Sequence, residues 1–356
     1  MVSLATLTHG TSEWLADSYE PRTIAAFQED LPGPCCGIAD LGDGKIAWTV
    51  LEPGKVEVYD VEVGFVEWST EGLDRPQYIA LVPGESARIW ITSPDNNCIY
   101  WLDAGGGALD GGIPVTDPET NETKPVLIEA KGLSSPRGLT FWQDAPKTDP
   151  DTDIVSGFVW VADSGNDRLV AFHPESGEAV RTMGQGLIKC PVDVQAMDLE
   201  KMAVVSRTGG HVFAQDGSLL FRLNFHMMIG NAVTFDARAE HGLLAVADEY
   251  TDRICLFCGH TGAYVRSIAG TGMFSEGTGA HKSLAFHIGE EGYGCKLFFA
   301  DYKTRRLCKL DVGRQEKPPP PPKPKEAEEE HVRVGKTTKK KKSTGFRTSE
   351  LGSGSS

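Results

Sequence analysis

Three pairs of opposite charge recur in this 356-residue chain at one spacing: Asp163/Arg168, Asp248/Arg253 and Asp301/Arg306. Each pair brackets a turn-rich hinge between two short apolar runs, as in "VWVADSGNDRLVAF". An acid at the start of a turn can accept backbone N–H groups, and Gly or Asn tolerates the positive φ angles of tight turns. A carboxylate and a guanidinium at this spacing fit a charge-assisted pair that holds a turn, a structural role and not a catalytic one. Weaker copies keep the frame without the pair: Ser206/His211, Ser93/Cys98 and Val50/Lys55.

Other residue types capable of chemistry do not assemble into a set. His211, His281 and His287 are zinc-ligand types, but they share no repeat position. Cys255-Leu-Phe-Cys258 has metal-like local spacing without a second pair. On a strand its thiols point to opposite faces. "GTGMFSEGTGAHKS" has the glycines of a phosphate loop, yet lacks the Gly-Lys-Ser/Thr ending and a following helix. The eight cysteines are scattered, as in a protein with reduced thiols. No catalytic, cofactor or metal set is read from these residues, and no cofactor is expected.

The elements behind the pairs are β-hairpins, since the apolar runs are short, branched and aromatic. "LLAVADEYTDRICLF" and "KLFFADYKTRRLCKL" repeat the pattern, and each hairpin follows another short strand, such as Gly138-Leu-Thr-Phe141 or Ala232-Val-Thr-Phe235. Taking residues 50, 93, 163, 206, 248 and 301 as equivalent gives steps of 43, 70, 43, 42 and 53. Periods of this size with several strands per unit belong to propeller blades. Six copies predict an all-β, six-bladed β-propeller over residues 22–312. Outer strands are expected at 178–182, 219–223 and 264–268. Blade 6 meets a proline run at 318–322, which supplies no ladder donors. The strand at Arg22–Phe27 is therefore expected to become its outer strand and close the ring.

"SPRGLTF" followed by "VWVADSGNDRLVAF", with Asn166-Asp-Arg168-Leu169 at the turn, resembles the NHL-repeat family of β-propellers. "IAGTGMFSEGTGAHKSLAF" resembles the Gly-rich link that often precedes an NHL inner strand. The resemblance implies protein recognition, in some relatives as the substrate-recognition part of a ubiquitin ligase, although no Cys/His zinc module accompanies this chain. Some relatives bind RNA through a basic face. Six-bladed calcium lactonases resemble the same fold and hold the metal on the inner strands, facing the channel. The matching positions here are Cys36, Gln77, Arg137, Val192, Asn231 and Lys282, of which only Gln77 and Asn231 offer a side-chain oxygen. Gln77, Arg137, Asn231 and Lys282 are the candidate channel mouth. Asp40 and Asp193 are nearby but off that ring.

Net charge is −15, made of −20 over residues 1–312 and +5 beyond. An acidic body repels phosphate backbones, so nucleic acid is disfavoured as a partner of the propeller. No run is long and apolar enough for a membrane helix. The first thirty residues lack a basic flank and apolar block, so a cytoplasmic protein is expected. Residues 1–21 are an N-terminal extension. Residues 313–356 read as a disordered arm, with Lys339, Lys340, Lys341 and Lys342 as a nuclear-import signal or a contact for an acidic surface. Two insertions, 104–124 and 143–156, should leave one face of adjacent blades 2 and 3. They carry Asp110, Asp117, Glu119, Glu122, Asp144, Asp149, Asp151 and Asp153, a surface suited to a basic protein partner. The expected function is a non-enzymatic interaction scaffold. The alternatives are a hydrolase or lyase with a metal in the channel, or a ubiquitin-ligase recognition subunit.

Overall fold

The computed structural model describes residues 24–28, 31, 33–84, 87–105, 115–116, 123–124, 132–144, 156–223, 230–237, 242–248, 253–269, 281–287, 296–302 and 305–311. The described strands form six antiparallel blades. Blade 1 comprises β2 (Cys35–Gly42), β3 (Lys45–Val50), β4 (Lys55–Asp60) and β5 (Phe65–Glu71). Blade 2 has three described strands, β6 (Tyr78–Val82), β7 (Arg88–Ser93) and β8 (Cys98–Asp103). A two-residue ladder, β9 (Val115–Thr116) with β10 (Thr123–Lys124), falls within the insertion that follows. Blade 3 holds β11 (Pro136–Gln143), β12 (Gly157–Asp163), β13 (Arg168–Phe172) and β14 (Ala179–Met183). Blade 4 is β15 (Pro191–Ala196), β16 (Lys201–Ser206), β17 (Gly209–Ala214) and β18 (Leu219–Arg222). Blade 5 is β19 (Gly230–Asp236), β20 (Leu243–Asp248), β21 (Arg253–Cys258) and β22 (Tyr264–Ala269).

Blade 6 joins the two ends of the ring. Its strands are β23 (His281–His287), β24 (Lys296–Asp301) and β25 (Arg306–Asp311), and its outer strand is β1 (Ile24–Gln28), which pairs antiparallel with β25. Ile24 stands opposite Leu310, and Ala26 opposite Cys308. The first described strand thus completes the last blade, which removes an unpaired edge.

Six hydrophobic clusters fill the six interfaces between neighbouring blades. Alternate residues of one strand serve opposite clusters, following the two-residue period of a strand. In β12, Val159 and Val161 pack towards blade 2, while Trp160 and Ala162 pack towards blade 4. In β24, Leu297 and Phe299 face blade 5, while Phe298 and Ala300 face blade 1. Burial on both faces explains why these strands read as continuous apolar runs.

The blade 3 turn shows what its polar residues hold. Asp163 is fully buried and accepts from the Arg168 guanidinium at 2.7 Å, the Ser134 N–H at 2.7 Å and the Asn166 amide at 2.9 Å. Arg168 and Asn166 also donate to the Gly132 carbonyl. The turn therefore clamps the segment that leads into its own blade. Asp167, in the left-handed region at φ 53°, accepts from the Cys190 N–H at 2.7 Å and pairs with Lys189. These bonds hold its carboxyl below the usual carboxylate range and tie the turn to the start of blade 4. Asp248 and Asp301 are buried at the equivalent places, opposite Arg253 and Arg306 in their ladders.

Blade 4 departs from the expected frame. Ser206 pairs with Gly209 across a two-residue turn, so His211 stands opposite Val204 on β17 and not at the turn. The Thr-Gly-Gly run supplies the reason: Gly209 adopts φ 123°, which a side chain resists, and the hairpin tightens there.

Deleting residues 1–30 should lower the thermal and urea midpoints of the whole ring, because it uncovers the β25 edge. An unchanged midpoint would show that β1 does not close the ring. Asp163→Ala should cost roughly 3 kcal/mol, since it strands the Ser134 N–H and the Arg168 charge. Urea unfolding measures this, and a loss below about 1 kcal/mol would reduce the clamp to an ordinary surface contact.

Candidate functional site

The inner strands β2, β6, β11, β15, β19 and β23 follow one another around a central channel. Each pairs with its own blade along one edge, and the other edge faces the neighbouring inner strand. Backbone groups on that free edge need partners. Short polar side chains supply them at all six junctions. Thr49 donates to the Gln77 carbonyl at 2.8 Å, and Thr92 donates to the Arg137 carbonyl at 2.8 Å. Thr140 accepts from the Ala196 N–H at 3.2 Å, and Asp193 from the Val233 N–H at 2.9 Å. Thr234 accepts from the Phe286 N–H at 3.3 Å, and Ser283 from the Ile38 N–H at 2.9 Å.

Five of the six inner strands carry a register shift near their leading ends, between Cys35/Ile38, Pro136/Leu139, Pro191/Asp193, Gly230/Ala232 and His281/Leu284. Such bulges re-aim side chains. They explain why the expected ring of mouth residues is only partly assembled. Gln77 and Arg137 line a pocket of about 200 Å³ together with Tyr78 and Tyr302. Asn231 is buried, 1 % exposed, and does not line it. The side chain of Lys282 lies outside the described residues.

Beyond this pocket is a channel cavity of about 330 Å³, and Tyr78 borders both spaces. Two acidic groups reach the cavity. Asp40 makes a 3.0 Å contact with Nδ1 of the buried His287. Asp193 turns its carboxylate into the wall, where Oδ1 accepts from the Val194 N–H and Oδ2 from the Val233 N–H. Gly138 makes this possible, since a Cβ there would sit 1.9 Å from Asp193 Oδ1. Burial pushes the Asp193 carboxyl up from 3.8 to about 7, outweighing the two N–H bonds that pull it down. Burial likewise raises the Tyr78 hydroxyl, opposed by the neighbouring Arg137.

Among the described residues, no three of His, Cys, Asp and Glu come together as a metal-ligand set. His211 is buried on β17, stacked on Phe213, and His287 stands at the far end of β23 from His281. Cys255 is buried in the cluster between blades 4 and 5. Of the insertion-face acids, Asp144 is described, 3.9 Å from Arg181. Asp110, Asp117, Glu119, Glu122, Asp149, Asp151 and Asp153 lie outside the described residues, as do Lys339–Lys342 and the whole of 312–356. Sequence reasoning set Asp40 and Asp193 near the channel but off the ring of matching positions, and it passed over Tyr78 and the Asp40–His287 contact. The signal for Asp193 was one acid inside the otherwise apolar Pro191-Val-Asp-Val194.

Solved structures that align with the chain include two that illustrate the likeness. The one described as "Streptogramin B lyase structure" aligns with a TM-score of 0.55 and 14% identity, over 83% of this chain and 99% of that one. The chain is a six-bladed β-propeller. The WD40 β-propeller domain of Doa1 aligns with a TM-score of 0.52 and 10% identity, over 84% of this chain and 97% of that one. At these identities the likeness is one of fold. No family model and no curated protein sequence matches the propeller. No helix among the described residues is long and apolar enough to cross a membrane.

The raised Asp193 carboxyl makes a signed prediction. From about pH 4 to about pH 7 the folded chain keeps a proton that the unfolded chain has lost, so this group's contribution to stability falls as pH rises. The full effect is roughly 4 kcal/mol at most. Asp193→Asn removes the titrating group. The stability of wild type relative to the variant, from urea unfolding, should drop across that window and level off above it. A difference independent of pH would mean that Asp193 does not titrate there.

Proposed function

We propose that this propeller is a non-catalytic protein-interaction module of the NHL type. The observation that carries this reading is the use of the channel's polar side chains. Thr140, Thr234, Ser283 and both oxygens of Asp193 bond to inner-strand backbone, which leaves them poorly placed to attack or hold a substrate. The Asn166-Asp-Arg168 turn supports the NHL assignment, because each residue has a defined partner in the linkers that position the blades. Protein recognition then falls to the ends of the ring, where the loops and channel mouth are. The acidic insertions after β8 and β11 fit a basic partner with salt-sensitive association.

A second reading, a lyase or hydrolase working in the channel, draws on the Asp40–His287 contact and the raised Asp193, since perturbed acids in a cavity are catalytic candidates. One structural neighbour is described as a lyase. The ring-joining bonds of Asp193 weigh against it here.

Two measurements separate the readings. Purified protein should hold sub-stoichiometric Ca²⁺ and Zn²⁺, and one metal per chain would favour the enzyme. Replacing 104–124 with a short Gly-Ser link should leave the fold intact and abolish capture of a protein partner. Full capture by the folded variant would remove that face from consideration.

A further inference from the structure

The two arginines at the channel mouth differ in their partners. Arg75 is held from both sides: its Nε lies 2.5 Å from Asp95 Oδ2, and its Nη1 lies 2.8 Å from Glu52 Oε1. Arg137 has no ion pair among the described residues. Its guanidinium stands beside the Tyr78 hydroxyl, and its Nε is buried without a hydrogen-bond partner. Arg137 as a whole is half-buried, but a buried donor left unmet is costly, and a ligand that accepts from it recovers that cost. Both arginines line the same pocket of about 200 Å³, whose other polar groups are Cys36, Gln77, Tyr78, Asp95 and Tyr302.

The charge balance narrows the ligand. Arg75, Arg137 and Asp95 leave the lining with a net charge of +1 inside a body of −20. Glu52, behind Arg75, removes even that surplus from the wider surroundings. Arg75 is already held by Asp95 and Glu52, so one negative charge can pair with Arg137, whereas the second charge of a phosphate dianion would meet Asp95 and Glu52 without a cation of its own. A planar guanidinium presents paired donors that fit the two oxygens of a carboxylate. The volume admits a carboxylate on a short stem.

We propose that the mouth pocket binds a carboxylate carried by a protein partner, an Asp or Glu side chain or a chain terminus, with Arg137 as its anchor. This rests on the interaction reading and adds a recognition chemistry to it. The ring does not need the Arg137 side chain for its own cohesion, because Thr92 bonds to the Arg137 backbone carbonyl.

The test uses the full chain, with the ¹⁵N–¹H resonance of Arg137 Nε read in the wild type and isothermal titration calorimetry in the wild type and the variants. Three probes are titrated: N-acetyl-glutamic acid α-amide, its glutamine counterpart, and a short end-blocked peptide whose one charged group is a central Glu. The glutamic probe should give a saturable shift and the glutamine probe none, and Arg137→Lys should weaken binding by about tenfold or more. Tighter binding of the peptide than of the small acid supports a protein source, and equal or weaker binding overturns that source. Absence of a saturable shift with any carboxylate, or undiminished binding by a folded Arg137→Lys protein, overturns the pocket assignment. Inorganic phosphate binding more tightly than the glutamic probe overturns the preference for a monoanion. Arg137→Gln, checked by thermal unfolding, provides a second variant. The outcomes remain distinct from those of the broader reading: partner capture that survives Arg137→Lys sinks the pocket alone, while carboxylate binding without any captured partner sinks the interaction reading and the protein source with it, and supports the pocket's carboxylate chemistry.

Discussion

The free edge of each inner strand is the constraint on which this propeller depends. A strand paired on one side presents unmatched N–H and C=O groups on the other, and in a ring those groups face the channel and the next blade. Six short side chains meet the need, one at each junction, by two routes. Blades 1 and 2 reach forward from their second strands, with Thr49 and Thr92 donating to a carbonyl of the next blade. Blades 3 to 6 use residues of the inner strands themselves, Thr140, Asp193, Thr234 and Ser283, as acceptors. Each bond contributes only about 1 kcal/mol, yet leaving its backbone partner buried and unmet costs more. Polar residues in the channel are thus retained for cohesion before any question of chemistry arises.

That constraint explains what could and could not be read along the chain. The blades were legible because strands buried on both faces repeat as short apolar runs, and the closing strand was legible because a proline run denies blade 6 its own. The blade 3 turn was legible from Asp163 and Arg168, whose types and spacing suit a buried acid paired across a hairpin. Blade 4 was misread at His211, since Gly209 and Gly210 allow a turn two residues shorter than its neighbours. Register is sensitive to such changes, because one residue of slip exchanges the two faces of a strand.

The mouth was legible only in part for the same reason. Counting from the hairpins places Gln77 and Arg137 together, and the structure does so. The same count places Asn231 beside them, but the register shift between Gly230 and Ala232 leaves it buried elsewhere. The shift between Pro191 and Asp193 brings an acid to the channel where the count placed Val192. Bulges carry almost no sequence signature beyond a glycine or a small residue nearby. A side chain's facing in such strands is therefore set by the ladder and not by the residue number.

The bulge in β11 also separates two roles at one residue. Residues 137 and 138 fall between the paired positions Pro136 and Leu139, so Arg137 is released from the regular alternation of its strand. Its carbonyl is fixed by Thr92 of blade 2, and the following Gly138 leaves room for Asp193 of blade 4. Backbone and neighbour therefore hold the ring, and the guanidinium is left to the mouth beside Tyr78. A side chain in that situation can be exchanged without opening a junction, which is the freedom a recognition residue needs. Arg75 lacks it, because Asp95 and Glu52 already hold its charge. The asymmetry between two arginines in one pocket thus follows from the way the blades are joined.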